Sequence, residues 1–135
     1  MIAPLHDPAI EKTTIMVVED NVELRFLVSS VLRAEGFRVV EAATTDEAAA
    51  FLKTSHGVAL VFSDIMLPGE VDGIGFAEML ARDYPGIKVI LTSGEVTRDK
   101  VPPNLLLMRK PYILARVITE VKRALGMEPE QTPPG

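Results

Sequence analysis

Ala59-Leu-Val-Phe-Ser-Asp-Ile-Met-Leu-Pro-Gly69 is the stretch that decides how this chain folds. Four apolar residues run without a break, a hydroxyl and a carboxylate follow, and a proline and a glycine close the segment a few residues on. A short continuous apolar run bounded by turn formers reads as a strand buried on both faces, the habit of strands in a parallel sheet. Ile15-Met16-Val17-Val18, Val89-Ile90-Leu91 and Leu105-Leu106-Leu107-Met108 repeat the pattern, and the more mixed Arg38-Val39-Val40-Glu41-Ala42 suits an edge strand.

Between these runs the apolar period becomes helical. Leu24, Leu27, Val28, Val31 and Leu32 share a face, with Asn21 placed to cap the start and Gly36 to stop the end. Thr44 and Glu47 form a capping box ahead of Ala48, Phe51 and Leu52. A third helix is expected from about Gly73 to Tyr84 through Phe76, Met79 and Leu80, and a fourth stripe, Leu114, Val117, Ile118, Val121 and Leu125, runs to Gly126. Strand–helix alternation of this kind predicts an α/β doubly wound parallel sheet with right-handed crossovers.

The chain has 135 residues, a length suited to one domain with a real core. Hydrophobic residues make up 47% and charged ones 24%, which excludes a disordered or collagen-like chain. No apolar run has membrane-spanning length, and the first residues do not read as a secretory leader. Zero cysteines exclude disulfides, thiol catalysis and Cys-based zinc sites. With 14 basic and 19 acidic side chains the net charge is −5, so the overall basic footprint of non-specific nucleic-acid binding is missing. Residues 1–12 and 127–135, rich in proline and poor in apolar residues, read as disordered tails around a folded unit at 13–126.

In a doubly wound sheet, ligands bind beyond the carboxyl ends of the strands. There the apolar runs end in Glu19-Asp20, Ser63-Asp64, Thr92-Ser93-Gly94 and Arg109-Lys110-Pro111. Three carboxylates crowded together push protons back onto one another unless a cation joins them. Mg²⁺ prefers oxygen ligands and is commonly held by one or two carboxylates together with phosphate oxygens. With Lys110 and a hydroxyl beside it, such a cluster could hold a dianionic phosphoryl group, and an ionised aspartate is a competent nucleophile toward phosphorus.

Val17-Val18-Glu19-Asp20-Asn21, Val61 through Gly69, Asp72-Gly73, Ser93-Gly94 and Lys110-Pro111 together resemble the receiver domain of two-component response regulators over residues 13–126. The resemblance implies a five-stranded sheet of order 2-1-3-4-5. It makes Asp64 the phosphoacceptor, charged in a Mg²⁺-dependent reaction from the histidine of a sensor histidine kinase or a histidine phosphotransfer protein. Asp20 would bind Mg²⁺ directly, Glu19 largely through water, and the Met66 carbonyl would complete the ligands with Asp64. Ser93 and Lys110 would hold phosphoryl oxygens, Gly94 would leave room for them, and the Lys110–Pro111 bond would be cis. The implied protein is a cytoplasmic signalling domain that promotes only its own phosphorylation and dephosphorylation, with no direct nucleic-acid or membrane binding.

Each of these residues also has a plain structural reading. Glu19 and Asp20 could favour a helix N-terminus by about 0.3–1 kcal/mol each. Asp64 could be a loop acid, Ser93 a turn hydroxyl and Lys110 a solvated charge, but five such coincidences would have to share one edge. Arg116, Lys122 and Arg123 read as the solvated face of the last helix, and His6 and His56 as uninvolved. Two features depart from the family pattern. Leu107 stands where many receivers carry an aromatic residue, and only Gly94–Asn104, with Pro102-Pro103, links the fourth and fifth strands, so the fourth crossover helix should be short or absent.

The fifth helix ends near the end of the chain, which suggests a stand-alone receiver, with a receiver module detached from a hybrid histidine kinase as the nearest alternative. From other classes, a Mg-dependent aspartyl-phosphate phosphatase of the haloacid-dehalogenase type would want its nucleophile after the first strand and a second acid two residues on, where this chain has Met66. An FMN binder would not place Glu19-Asp20 at its phosphate loop. An interaction domain that is never phosphorylated is the remaining rival.

Overall fold

The computed structural model describes residues 7–54, 57–96 and 98–127. Five parallel strands, β1 (Thr14–Val18), β2 (Arg38–Ala42), β3 (Val58–Asp64), β4 (Lys88–Ser93) and β5 (Leu106–Arg109), form one sheet of order β2-β1-β3-β4-β5. The helices are α1 (Pro8–Glu11), α2 (Val22–Glu35), α3 (Thr45–Thr54), α4 (Gly73–Asp83) and α5 (Leu114–Ala124). The strand order matches expectation, and β2, the mixed run, is at an edge.

Alternation along each strand builds two cores. Ile15, Val17, Leu60, Phe62, Ile90 and Met108 pack on one face with Val28 and Leu32 of α2 and Val117 and Val121 of α5. Met16, Val18 and Val61 face the other way, toward Ala48 and Leu52 of α3 and Phe76 and Leu80 of α4. Full burial of one such side chain stabilises the fold by about 1.5–3 kcal/mol, so both faces of the sheet are committed. The expected caps are present, with the Thr44–Glu47 box formed on its Thr44 side only. Asn21 Oδ1 accepts from the Leu24 N–H at 2.9 Å, Thr44 Oγ1 from the Glu47 N–H at 3.1 Å, and Gly36 closes α2 at φ 112°, a left-handed conformation that favours glycine.

Two expectations differ from the structure. The N-terminal tail does not extend to residue 12, because Asp7 caps α1 and Ile10 is buried in the α2–α5 core. A single apolar residue was enough to dock a segment whose composition reads as a tail; residues 1–6 and 128–135 lie outside the described residues. Lys122 is not solvated. It is buried on α5 and ion-paired with Glu35 at the end of α2, so the charge is neutralised inside the α2–α5 contact. Arg116 and Arg123 are exposed, as expected, and both reach Glu120.

Between β4 and β5 the helix is reduced to a 3₁₀ turn at Arg98–Lys100. Its stand-in is one side chain: Arg98 Nη1 donates to the Leu105 carbonyl at 2.6 Å, and Nη2 to the carbonyls of Pro102 and Pro103 at 3.1 and 2.9 Å. Val101 drops into a small cluster with Ile65, Ala77 and Leu91, against which Leu105 and Leu107 pack. Leu107 thus fills the crossover side of the sheet. Tyr112 lies on the opposite side, edge-on to Phe62 with ring centroids 6.1 Å apart, and does not replace the missing aromatic.

Arg98→Ala is expected to speed backbone amide exchange across residues 98–105 and to lower stability by about 1 kcal/mol in urea unfolding, with the rest of the sheet unaffected.

Candidate functional site

Register alone assembles the site. Val18 pairs with Ser63, Asp64 with Thr92, and Ser93 with Arg109. The residue after each of Val18, Ser63, Thr92 and Arg109 is therefore delivered to the same edge: Glu19, Asp64, Ser93 and Lys110. The Ile65 N–H donates to the Thr92 carbonyl and the Lys110 N–H to the Ser93 carbonyl, both at 2.9 Å, so the ladder holds right up to the site.

Lys110 Nζ donates to Glu19 Oε1 and to Asp64 Oδ2, each at 3.0 Å. Both carboxylates are buried, at 5% and 6% exposure, a state that needs such a partner. The Asn21 N–H donates to Glu19 Oε2 at 3.1 Å and the Met66 N–H to Asp64 Oδ1 at 3.2 Å. Burial pushes the Glu19 carboxyl above its ordinary value, the Asp64 charge adds to that, and the bonds from Asn21 and Lys110 pull it partly back. Burial pulls the Lys110 ammonium down, but its bonds to Glu19 and Asp64 and their charges outweigh this and raise it. Burial first, then the same two negative charges, push the Tyr112 phenol upward.

Asp20 differs from its neighbours. It is exposed and has no hydrogen bond to any described residue, yet one oxygen from each of Glu19, Asp20 and Asp64 lies within 4.8 Å of the others. One ammonium faces three carboxylates, an all-oxygen set short of positive charge, and a hard divalent cation such as Mg²⁺ fits it.

Ser93 is fully buried, and its Oγ accepts from the N–H groups of Glu95 and Val96 at 3.1 and 2.9 Å. It fastens the start of the crossover, and among the described residues its own proton is given to no acceptor. At Gly94 an added Cβ would sit 3.7 Å from Lys110 Cβ, an ordinary contact, so this arrangement does not itself require glycine there. Gly73 is different: a Cβ there would lie 2.2 Å from the Asp64 carbonyl oxygen, so only glycine lets α4 start directly against the end of β3. Asp72 caps α4 through the Gly75 N–H at 2.9 Å and stands apart from the carboxylate cluster. The Lys110–Pro111 bond is cis.

Sequence reading missed Arg25, whose Nη1 donates to the Glu19 carbonyl at 2.8 Å. The usable signal was its place one helical turn past Asn21, on the side of α2 that rises from the acidic turn.

A five-stranded parallel sheet of this order with an acidic carboxyl edge is a flavodoxin-like architecture of the receiver type. The sequence model described as response regulator receiver domain matches residues 15–106, and the chain belongs to that family, the receiver domains of two-component systems. It is 29% identical over 116 residues to "Putative response regulator NtrX-like" of Rickettsia bellii, covering 82% of this chain and 24% of that protein. It is 33% identical over 119 residues to "Sensor kinase CckA" of Brucella abortus, covering 83% and 12%. The crystal structure of a response regulator receiver protein from Sinorhizobium medicae superposes with a TM-score of 0.79 at 25% identity, covering 86% of this chain and 96% of that one. The chain thus spans a quarter or less of the length of these curated relatives. Among the described residues no helix is long and apolar enough to cross a membrane.

Lys110→Met leaves two buried carboxylates without their cation, at an expected cost of about 3 kcal/mol at pH 7. With the ammonium gone, Glu19 moves further up, so the deficit is full at neutral pH and shrinks as pH falls and Glu19 takes a proton. Urea unfolding at pH 7 and pH 5 measures both the size and the sign.

Proposed function

We propose that Asp64 accepts a phosphoryl group from a phosphohistidine and that the chain signals by the rearrangement this causes. The observation that carries the reading is the Lys110 bridge, which puts a lone ammonium between Asp64 and Glu19 with Asp20 beside them. An Asp64 carboxylate oxygen attacks phosphorus as the bond from phosphorus to the donor imidazole nitrogen breaks, and the imidazole leaves. Lys110 turns from the carboxylates to an incoming phosphoryl oxygen, and the Ser93 hydroxyl donates its proton to another. Glu19, Asp20, Asp64 and the Met66 carbonyl would hold Mg²⁺, which when bound neutralises charge on the transferring group.

The partner that brings the phosphoryl group is a sensor histidine kinase or a histidine phosphotransfer protein. Val22 and Phe26, one turn apart on α2, are 67% and 64% exposed, and Ile113 after the cis proline is 73% exposed. With the recess of about 340 Å³ between Leu24, Lys110, Pro111 and Tyr112, they offer an apolar seat beside the acceptor, which supports docking of a helical donor there. Such a donor would place the chain in the cytoplasm, acting through protein contacts and not on nucleic acid. The match to a sensor kinase supports a second reading, a receiver module of a hybrid histidine kinase, with the same site chemistry.

Incubation with Mg²⁺ and acetyl phosphate or phosphoramidate is expected to add one phosphoryl group by intact mass, labile to hydroxylamine. Chelation of the metal or Asp64→Asn should abolish it with the melting transition retained. Stoichiometric labelling of Asp64→Asn would remove Asp64 from this role. No labelling of the wild type would leave a pure interaction domain, and steady release of phosphate from a phosphomonoester would indicate a phosphatase.

A further inference from the structure

The turn that carries Glu19 and Asp20 is held by a side chain from outside it. Arg25 reaches back from the end of the first turn of α2 to bond the Glu19 carbonyl at 2.8 Å, while the Glu19 N–H donates to the Ala42 carbonyl at the end of β2 at 3.0 Å. The peptide groups on either side of Glu19 are thereby fixed, one to each neighbouring element. Arg25 is itself oriented: its Nε lies 3.4 Å from Glu41 Oε1, and the other Glu41 oxygen is 3.0 Å from Arg33 Nη2. Arg25 is mostly buried, with 20% of its side chain exposed, and its flat guanidinium meets the Glu19 carbonyl and the Glu41 carboxylate through two different nitrogens held at a fixed spacing, which a single ammonium nitrogen does not offer.

The consequence falls on Asp20. Glu19 has its own anchors in Lys110 and Asn21, but the Asp20 carboxylate has no hydrogen bond to any described residue, so its position rests on the backbone of residues 19–21 alone. We propose that Arg25 is a positioning residue for the Glu19–Asp20 pair, oriented by Glu41, and that it presets the spacing at which those carboxylates meet a divalent cation. The inference rests on reading the cluster as a cation site.

Charge and geometry here predict opposite signs. Arg25 is a cation near a site for a cation, so its removal by charge alone would tighten Mg²⁺ binding; loss of a positioning bond weakens it. Calorimetric or NMR titration with Mg²⁺ at fixed ionic strength, on the unphosphorylated chain, separates the two. Arg25→Ala is expected to raise the Mg²⁺ dissociation constant about tenfold. Arg25→Lys, which keeps the charge but offers only one nitrogen, should fall between Arg25→Ala and wild type, and Glu41→Gln should shift in the same direction by less. If Arg25→Ala does not fold, Arg25→Lys carries the test, because it keeps the charge and changes the geometry alone. A dissociation constant that is unchanged or lower in the folded variants, with wild type binding Mg²⁺, overturns the positioning role alone. Wild type that binds no Mg²⁺ overturns the cation site and this role with it.

Discussion

Two carboxylates sit under the surface at the carboxyl edge of the sheet, and one ammonium makes that tolerable. Lys110 follows the last residue of β5, passes over the end of β4 and reaches the ends of both β3 and β1, so its bridge ties β5 to two strands that are not its neighbours. The rest of the arrangement answers to that span. The side chains at the end of β4 are small, Ser93 and Gly94, and Lys110 runs past Gly94 at ordinary contact distance. The two apolar cores stop one residue short of the edge, since Val18 and Phe62 are core while Glu19, Ser63 and Asp64 are polar and individually bonded. Desolvation on this scale costs several kcal/mol per ion when uncompensated, so the pairing is what permits two carboxylates to be held in a largely water-excluded place.

The edge is divided between acids that are spoken for and one that is not. Glu19 and Asp64 each have both oxygens occupied by protein donors. Asp20 has none among the described residues, and stands exposed beside them. Such a site is preorganised but incomplete: its protein donors fix the geometry, while the unsatisfied negative charge remains as affinity for whatever cationic group arrives.

Much of this was legible in the sequence because burial on both faces leaves a continuous apolar run, and the residue ending each run must lie at one edge of a parallel sheet. Thr44 and Asn21 were readable as caps because capping depends on a few adjacent residues. Lys122 was not readable, since its burial depends on Glu35, a residue 87 positions away that only the α2–α5 packing brings near. Ile10 escaped for the same reason: four residues of helix carry no period, and its docking is a tertiary fact. The short crossover was legible from its length and its prolines, but not what would hold it, because a guanidinium bonded to three carbonyls leaves no pattern in the chain. The roles of Arg25 and Gly73 likewise follow from close approaches between segments, which a linear pattern does not encode.

The Arg98 crossover also differs from a helix in how it can fail. A helix distributes its backbone bonds over many residues and frays from its ends, so damage is graded. Here the carbonyls of Pro103 and Leu105 depend on a single guanidinium, which the Pro102 carbonyl shares with the Leu105 N–H, and both prolines lack the N–H that could build a ladder instead. Robustness to mutation in this segment is therefore uneven. The exposed positions Lys100 and Asn104 should drift freely in sequence, while tolerance at position 98 collapses to arginine.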